Sequence, residues 1–377
     1  MKPGAYVHIP FCAHRCTYCS FVALEGKREE EDFFESVVAE IRSRGAEAAG
    51  GLAFDSVYFG GGTPSYVDPL RLGGVIGTLE EIFGLASDPE ITAEANPDDL
   101  DPGRLLALRA IGINRLSIGV QSLTDAELLP LERRHDAAGA VEALRRAVPV
   151  FGNVSADLMI GIPGQTRETL RVSVDGLLEA GISHLSVYLL EIDKAPRLVS
   201  LKKERPDAFA DDDEMADRWL EVDERLEAAG LPRYEISNWA RPGFESRHNL
   251  KYWTLAPVLG FGLAAHSFDG RRRLANTGSM AEYLRRMRAG FSAAVPVEET
   301  PQESDLLRRR EGLMLGLRLA EGVPSSSFEE VRRTLPIAAA SRLHDAFDAG
   351  LLVRMAGRVR LTRRGVLLSN EVFQAFL

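Results

Sequence analysis

The three cysteines of this 377-residue chain lie close together near its N-terminus, as Cys12, Cys16 and Cys19 in the pattern C-x3-C-x2-C. Three thiols cannot all pair as disulfides within one chain, so metal binding, catalysis or core packing remain as their uses. Residues 5–10 are typical of a strand, which places the thiols in the loop after that strand.

Two kinds of metal centre suit these thiols. Zinc sites with four ligands mostly contain paired C-x2-C elements, and the nearby candidates for a fourth ligand are His8 and His14. Iron–sulfur clusters mostly take four cysteines, and a four-iron cluster with three protein ligands keeps one iron open for a substrate. The residues alone leave both centres open, together with plain packing of the cysteines in a core.

Glycines and polar residues occur where the later strands end, or soon after them. They are Gly60, Gly61, Gly62, Thr63, Glu94, Gln121, Arg133 and Asp157. Each alone would more often be a helix cap, a turn or a surface group. Because the carboxyl ends of parallel strands meet at one face of a barrel, their combination predicts a binding site there.

Short strand-like runs alternate with amphipathic helices over roughly the first 190 residues. The predicted strands are 5–10, 54–60, 90–97, 113–122, 153–164 and 183–192. Six strand–helix units predict an α/β fold with a parallel sheet. A complete eight-unit barrel takes about 250 residues, so we expect a partial (β/α)6 TIM-like barrel.

The domain organisation follows from composition and pattern. We predict a barrel domain over 1–270 and a linker or hinge over 271–300, where "FSAAVPVEETPQE" begins. Residues 301–377 then form a smaller, helix-rich domain that closes with two turn-separated strands, in a winged-helix-like pattern.

The net charge of −10 argues against general nucleic-acid binding, which needs a basic face. The basic runs at 270–273 and 306–311 are typical of solvated surface. No apolar run reaches the length of about 18 residues that a membrane span needs, and the N-terminus lacks the plan of a signal peptide. We therefore expect a cytoplasmic protein.

The cysteine pattern, followed by a glycine-rich strand end, resembles the radical S-adenosylmethionine (SAM) superfamily. The resemblance implies that Cys12, Cys16 and Cys19 hold a [4Fe-4S] cluster whose open iron chelates the amino and carboxylate groups of SAM. An electron from the cluster then cleaves SAM to a 5'-deoxyadenosyl radical. The resemblance also assigns the SAM contacts, which are Tyr6, Tyr18, Gly61, Gly62, Thr63, Glu94, Gln121, Arg133, Asp157 and His266.

Within the superfamily, nearly the whole chain resembles the branch of oxygen-independent coproporphyrinogen III oxidases and heme chaperones, which connects it with porphyrin biosynthesis. The oxidases have a fourth cysteine at the position of Phe21 and a longer arm before the first cysteine, whereas eleven residues precede Cys12 here. Both departures favour a heme chaperone without coproporphyrinogen dehydrogenase activity. The alternatives are an oxidase that decarboxylates coproporphyrinogen III and a radical SAM methyltransferase.

The segment "RHNLKYW" (247–253) resembles the heme-binding segment of the chaperones. It suggests His248 as the ligand of the heme iron, with Tyr252 and Trp253 as flat faces for the porphyrin. The implied partners are heme, an electron donor for the cluster and heme-accepting apoproteins such as respiratory enzymes. The resemblance also allows a homodimer and a peripheral membrane association through partners.

Overall fold

The computed structural model describes residues 2–47, 53–193, 195–290, 294–296 and 305–377. Its strands are β1 (Gly4–Ile9), β2 (Phe11–Cys12), β3 (Leu24–Glu25), β4 (Phe54–Gly61), β5 (Leu85–Ala95), β6 (Arg115–Gln121), β7 (Val154–Ile160), β8 (His184–Leu189), β9 (Arg233–Glu235), β10 (Asn238–Ala240), β11 (Val258–Gly262), β12 (His266–Phe268), β13 (Arg273–Asn276), β14 (Ala294–Pro296), β15 (Val323–Pro324), β16 (Leu352–Met355) and β17 (Arg358–Leu361).

The α-helices of the described residues alternate with these strands in the first half of the chain and predominate at its end. They are α1 (Glu30–Glu47), α2 (Pro69–Phe83), α3 (Pro102–Ala110), α4 (Asp125–Leu128), α5 (Ala137–Phe151), α6 (Arg167–Glu179), α7 (Pro196–Glu204), α8 (Asp212–Ala228), α9 (Arg247–Trp253), α10 (Met280–Arg288), α11 (Asp305–Gly316), α12 (Ser325–Arg332), α13 (Ile337–Asp348), α14 (Arg363–Leu367) and α15 (Ser369–Phe373). Among these helices, none combines the length and the apolar character that a membrane span requires.

One curved sheet of twelve strands forms the first unit, in the order β14-β13-β12-β11-β1-β4-β5-β6-β7-β8-β10-β9. Strands β1, β4, β5, β6, β7 and β8 are parallel neighbours, and β11 adds a seventh parallel strand beside β1. The order is a row and not a ring, so the barrel is open. The predicted partial (β/α)6 barrel is confirmed.

The two faces of the barrel strands differ in chemistry. In β6, Leu116, Ile118 and Val120 belong to the apolar core, whereas the alternate residues include Arg115 and Ser117. Successive side chains of a strand point to opposite faces, so the apolar set packs under the helices and the polar set faces the barrel interior. All five are buried, which means that the interior polar groups need partners inside the barrel.

Helix α9 lies against the early part of the barrel strands. The Glu90 carboxylate on β5 accepts hydrogen bonds from the backbone N–H groups of Arg247 and His248, at 3.0 and 2.9 Å. The buried Lys251 ammonium pairs with Asp55, near the start of β4, at 2.5 Å. These buried charges anchor α9 because leaving either one without its partner would cost its full desolvation energy.

The C-terminal unit is helix-rich, with α11 to α15 around the three-stranded sheet β15-β17-β16. Strands β16 and β17 form the antiparallel pair that the sequence predicts. Arg363 joins this unit to the barrel side, where its Nε donates to Asp223 of α8 at 2.7 Å. The buried Asp223 also accepts from the indole N–H of Trp239 at 2.8 Å.

The structure differs from the prediction of a linker over 271–300. Strand β13 and helix α10 occupy much of 271–290, and β13 joins the main sheet beside β12. Strand β14 extends the same sheet. The reason is that β12 and β13 form a short antiparallel hairpin, which a pattern of alternating strands and helices does not predict. The segments 291–293 and 297–304 lie outside the described residues.

Replacing Glu90 with Ala should destabilise the protein by about 2–3 kcal/mol, because two backbone N–H groups lose a charged, buried acceptor. The measurement is the free energy of unfolding from urea denaturation. The matched control is Asp88→Ala, since the Asp88 side chain is 89 % exposed and pairs with the Arg247 guanidinium at 3.6 Å. We expect a loss below about 1 kcal/mol there. Equal losses in the two variants would contradict the anchoring role of Glu90.

Candidate functional site

A cavity of about 480 Å³ opens at the carboxyl ends of the parallel barrel strands. It brings together most of the predicted site, namely Cys12, Cys16, Tyr18, Cys19, Gly61, Gly62, Thr63, Glu94, Gln121, Arg133 and Asp157. These residues come from the cysteine loop, from the ends of β4, β5 and β6, from the middle of β7 and from the segment after α4. A volume of this size is typical of small-molecule sites. We call this space the cysteine cavity.

The cysteine loop is held in place by its neighbours. Cys12 ends β2, and its backbone carbonyl accepts from Gly26 N–H at 2.9 Å. The Thr63 hydroxyl donates to the Cys12 Sγ at 3.4 Å. The Thr17 hydroxyl donates to the Pro130 carbonyl at 3.0 Å. The loop is thus attached to the end of β4 and to the segment after α4, on two sides of the cavity.

All three cysteines are free thiols, and they differ in burial. Cys12 is buried, whereas Cys16 and Cys19 are half-buried. Burial raises the pKa of Cys12 to about 11, although the Thr63 hydrogen bond opposes that shift. Burial also raises the pKa of Cys19. Metal ligation by these thiols therefore requires the release of protons, and metal loading should be favoured at higher pH.

Arg133 lies at the centre of the site's hydrogen bonds. Its Nη1 donates to the Cys16 Sγ and to the Tyr18 hydroxyl, both at 3.3 Å. Its Nη2 donates to Asn96 Oδ1 at 2.6 Å and to the Gly119 carbonyl at 2.5 Å. One guanidinium thus joins the cysteine loop to the ends of β5 and β6.

Two half-buried carboxylic acids, Glu94 and Asp157, line the same cavity as the cysteines. Glu94 accepts from the Tyr58 hydroxyl and from Gly61 N–H, each at 3.0 Å. Burial, followed by the nearby Asp157 charge, raises the pKa of Glu94 to about 7. Burial also raises the pKa of Asp157 to about 6, against hydrogen bonds from Ser186 and Ser117. Such shifts are common at functional sites because a ligand group can complete the pairing of a buried acid.

The backbone is unusual at two points of the cavity wall. Gly61 has φ +109°, and a Cβ there would lie 2.4 Å from the His8 ring. Gln121 has φ +69°, an unfavourable conformation for a residue with a side chain. Such backbone conformations concentrate at functional sites, where the surrounding structure holds them. Both occur at the ends of strands that the sequence analysis had singled out.

Unpartnered polar atoms in the cysteine cavity indicate that it fits a bound group. The Gln121 Oε1 and Arg133 Nε atoms are buried without a hydrogen-bond partner among the described residues. An unpartnered buried polar atom is costly, and a ligand with donors and acceptors would supply the partners. Within the described part of the chain, no three His, Cys, Asp or Glu side chains converge as single-ion ligands do. A [4Fe-4S] cluster takes one thiolate per iron, so its ligands need not converge on one point.

Tyr6, a predicted SAM contact, lies on β1 outside the lining of the cysteine cavity. Its hydroxyl is 3.2 Å from His8 Nδ1, and its ring stacks on Tyr58 at 6.2 Å between centroids. Burial, followed by the Glu94 charge, raises its pKa. Tyr6 thus contacts Tyr58, which donates a hydrogen bond to Glu94, and the Glu94 charge also acts on the Tyr6 hydroxyl. Tyr6 stays a predicted SAM contact.

His266, another predicted SAM contact, is not among the residues that line the cysteine cavity, and its role stays a prediction. It lines a second cavity of about 210 Å³ with Tyr252, Trp253, Phe268 and Arg273. His266 begins β12, which pairs with β13 in an antiparallel hairpin near one end of the sheet. We call this space the edge cavity.

His248, the predicted heme ligand, lies inside the protein, and its role as ligand stays a prediction. Its side chain is fully buried, with Nδ1 3.0 Å from the Ser56 hydroxyl and Nε2 3.1 Å from the Tyr252 hydroxyl. Its ring also stacks on Tyr58 at 5.2 Å. Burial, followed by the Lys251 charge, lowers its pKa to about 3. Both ring nitrogens are engaged, so neither is available to an iron atom in this conformation.

Sequence reasoning missed several residues of the cysteine cavity, among them Asn96 and Tyr188. Asn96 follows β5 and accepts from Arg133. Tyr188 lies at the end of β8, and burial raises its pKa, with a further contribution from the Asp157 charge. The strand-end rule that selected Glu94 and Gln121 would also have selected Tyr188 on the last of the six strands.

Comparison with known proteins identifies relatives along the whole chain. Residues 6–194 match the family model of the radical SAM superfamily, and residues 306–368 match that of the HemN C-terminal domain. The heme chaperone HemW of Bacillus subtilis is 34 % identical over 99 % of this chain and 99 % of that protein. The heme chaperone HemW of Escherichia coli is 31 % identical over 99 % of this chain and 97 % of that protein.

A solved structure supports the fold. The coproporphyrinogen III oxidase HemN of Escherichia coli, described as a radical SAM enzyme, superposes with a TM-score of 0.84 over 100 % of this chain and 90 % of that chain. Its sequence identity is 22 %, so this likeness concerns the fold alone. It agrees with a TIM-like α/β core followed by a helix-rich C-terminal domain.

The pKa of Glu94 predicts a pH-dependent effect of Glu94→Gln on the metal-free protein. A carboxyl with a raised pKa keeps its proton in the folded state when the unfolded chain has lost it, so its contribution to stability falls between about pH 4.5 and pH 7. Glutamine does not titrate. Relative to the parent protein, the variant should therefore gain stability between pH 5 and pH 8, by up to about 3 kcal/mol.

The measurement is the free energy of unfolding of both proteins at the two pH values. The control is Glu81→Gln, because the Glu81 side chain is 65 % exposed and its ion pair with Arg42 spans 3.8 Å. That variant should differ from the parent by the same amount at both pH values. Parallel pH profiles for Glu94→Gln and the parent would refute the raised pKa.

Proposed function

Because this chain belongs to the radical SAM superfamily and, within it, to the family of the heme chaperone HemW, we propose that it binds a [4Fe-4S] cluster, SAM and heme and delivers heme to acceptor apoproteins. Respiratory heme enzymes are the acceptor class that we propose. The observation that carries the proposal is the cysteine cavity, where three free thiols share one space with strand-end groups suited to SAM.

Cys12, Cys16 and Cys19 would hold the cluster. When bound, the cluster supplies an open iron that can chelate the amino and carboxylate groups of SAM. The protein's part is to orient the thiols, and the contacts of Thr63 with Cys12 and of Arg133 with Cys16 support this role. Hydrogen bonds to the sulfur atoms also tune the reduction potential of such clusters.

The polar groups of the cavity would hold SAM. Arg133 suits the methionine carboxylate, because a guanidinium pairs well with carboxylates. Glu94 and Asp157 are acceptors for amino and hydroxyl groups. Gly61 and Gly62 give close access to the backbone, and Gln121 carries an unpartnered amide oxygen. The remaining proposed contacts are Tyr6, Tyr18 and Thr63.

We propose a chaperone and not an oxidase for two reasons. The relatives of similar length are named heme chaperones at 31–35 % identity. In addition, the position of the oxidases' fourth cysteine carries Phe21, whose side chain is 64 % exposed and lines the cavity mouth. An apolar side chain there supplies no sulfur ligand. The chain's role would then be to carry heme and not to decarboxylate coproporphyrinogen.

Replacing Cys16 with Ser should abolish cluster assembly. The test is anaerobic reconstitution with iron and sulfide, followed by iron and sulfide analysis and by the visible absorption of the cluster. Ser20→Ala is the matched control, because Ser20 lies in the same loop and lines the same cavity. The control should assemble one [4Fe-4S] cluster per chain. A Cys16→Ser protein with a full cluster, or a parent protein that takes up zinc instead, would defeat the proposal.

The reconstituted parent protein should bind heme stoichiometrically and show no decarboxylation of coproporphyrinogen III with SAM and a reductant. Phe21→Cys should behave in the same way, since one added thiol does not build an oxidase site. The measurements are heme titration by absorbance and product analysis by chromatography. Turnover of coproporphyrinogen at the rate typical of enzymes, about 1 per second or more, would replace the chaperone by the oxidase.

A further inference from the structure

The side chain of Asn96 joins the two groups that donate hydrogen bonds to cysteine sulfurs. Asn96 follows β5 and lines the cysteine cavity. Its Oδ1 accepts from Arg133 Nη2 at 2.6 Å, and its Nδ2 donates to the Thr63 hydroxyl oxygen at 3.2 Å. Arg133 donates in turn to the Cys16 Sγ, and Thr63 donates to the Cys12 Sγ. One amide thus lies between both sulfur donors.

The direction of each hydrogen bond in this chain follows from the chemistry of Arg133. A guanidinium carries donors only, so the amide atom that faces it is the oxygen of Asn96. The amide nitrogen therefore faces Thr63, whose hydroxyl oxygen must accept from it. The single hydroxyl proton of Thr63 then remains for another acceptor, and the Cys12 Sγ lies 3.4 Å away.

The local turn does not account for the position of this side chain. Asn96 precedes the short 3-10 helix Pro97–Asp99, yet its side chain forms no capping hydrogen bond. Its backbone N–H donates to the Ser65 hydroxyl at 3.2 Å, and its carbonyl accepts from Asp99 N–H at 3.1 Å. The main chain thus holds the turn, and the amide is directed at the groups of the cavity instead.

We infer that Asn96 is a positioning residue of the cluster site, which rests on the proposed [4Fe-4S] cluster. Its amide fixes the direction in which Arg133 and Thr63 donate to the sulfurs of Cys16 and Cys12. Hydrogen bonds to ligand sulfurs favour the reduced, more negative form of a cluster and so raise its reduction potential. Asn96 therefore sets the potential without contacting a sulfur itself.

The first test is Asn96→Asp, a change that keeps the shape of the side chain. Arg133 would keep the new carboxyl ionised, and both of its oxygens accept hydrogen bonds. The hydroxyl proton of Thr63 would then turn from the Cys12 sulfur to the carboxylate. The lost hydrogen bond and the added negative charge both lower the reduction potential. We expect a midpoint at more negative values in a redox titration of the reconstituted full chain without SAM, followed by electron paramagnetic resonance.

A second set of variants separates the hydroxyl from the charge. In a Thr63→Val background the hydroxyl is absent, so Asn96→Asp should shift the potential by less than it does in the parent protein. In a Thr63→Ser background the hydroxyl is kept, and the full shift should return. Equal shifts in the three backgrounds would leave only the effect of charge and would overturn the role of the Asn96 amide.

The matched control is Asn114→Asp. Asn114 precedes β6, at the end of the strand opposite to the cavity, and its amide also bridges two groups. Its Oδ1 accepts from Ile91 N–H at 2.8 Å, and its Nδ2 donates to the Pro89 carbonyl at 2.7 Å. The control loses one hydrogen bond of the same kind but should keep the potential of the parent. A shift as large as that of Asn96→Asp would count against a specific role of Asn96.

Nuclear magnetic resonance tests the same contact in the metal-free full chain. Thr63→Val should move the side-chain amide signals of Asn96, because their acceptor is lost, and should leave those of Asn114 in place. Unmoved Asn96 signals would overturn the positioning role alone. A parent protein that assembles no cluster would instead overturn the proposed function, and the role of Asn96 in setting a potential with it.

Discussion

The candidate site depends on one half-buried cation, the guanidinium of Arg133. It donates to a cysteine sulfur and a tyrosine hydroxyl of the loop, and to the ends of two neighbouring strands. Hydrogen bonds from a charge that is partly withdrawn from water stabilise it, so the loop, the strand ends and the arginine stabilise one another. The same residue retains an unpartnered Nε, which leaves capacity for a bound anion. The Arg133 guanidinium thus supports the local fold and also offers a donor to a bound anion.

Much of the fold could be predicted from the sequence, because strand–helix alternation is a local signal. The six parallel strands and the open barrel followed from it, and a turn-separated pattern near the C-terminus predicted the strand pair β16–β17. The strand-end rule then identified several polar residues that line the cysteine cavity, since parallel strands bring their carboxyl ends together. The hairpin of β12 and β13 did not follow, because its short strands lack a periodic pattern. Strand β13 and helix α10 therefore occupy much of a stretch that composition had assigned to a linker.

The surroundings of His248 and His266 could not be predicted from the sequence. His248 lies in a motif that resembles a heme-binding segment, yet its ring is sealed between Ser56, Tyr58 and Tyr252. His266 lies in a glycine-rich run and reaches an open cavity. The availability of a ring nitrogen depends on contacts between residues far apart in the chain, such as Ser56 with His248. A single sequence carries no local sign of such contacts.

The close approach of Gly61 to the His8 ring has an evolutionary consequence. A side chain at position 61 would meet both an unfavourable backbone angle and an occupied space. Reducing His8 to a small residue would remove the second obstacle and leave the first. The effects of changes at the two positions are therefore expected to be epistatic, and a lineage could leave this pair of residues only by a change at position 8 first.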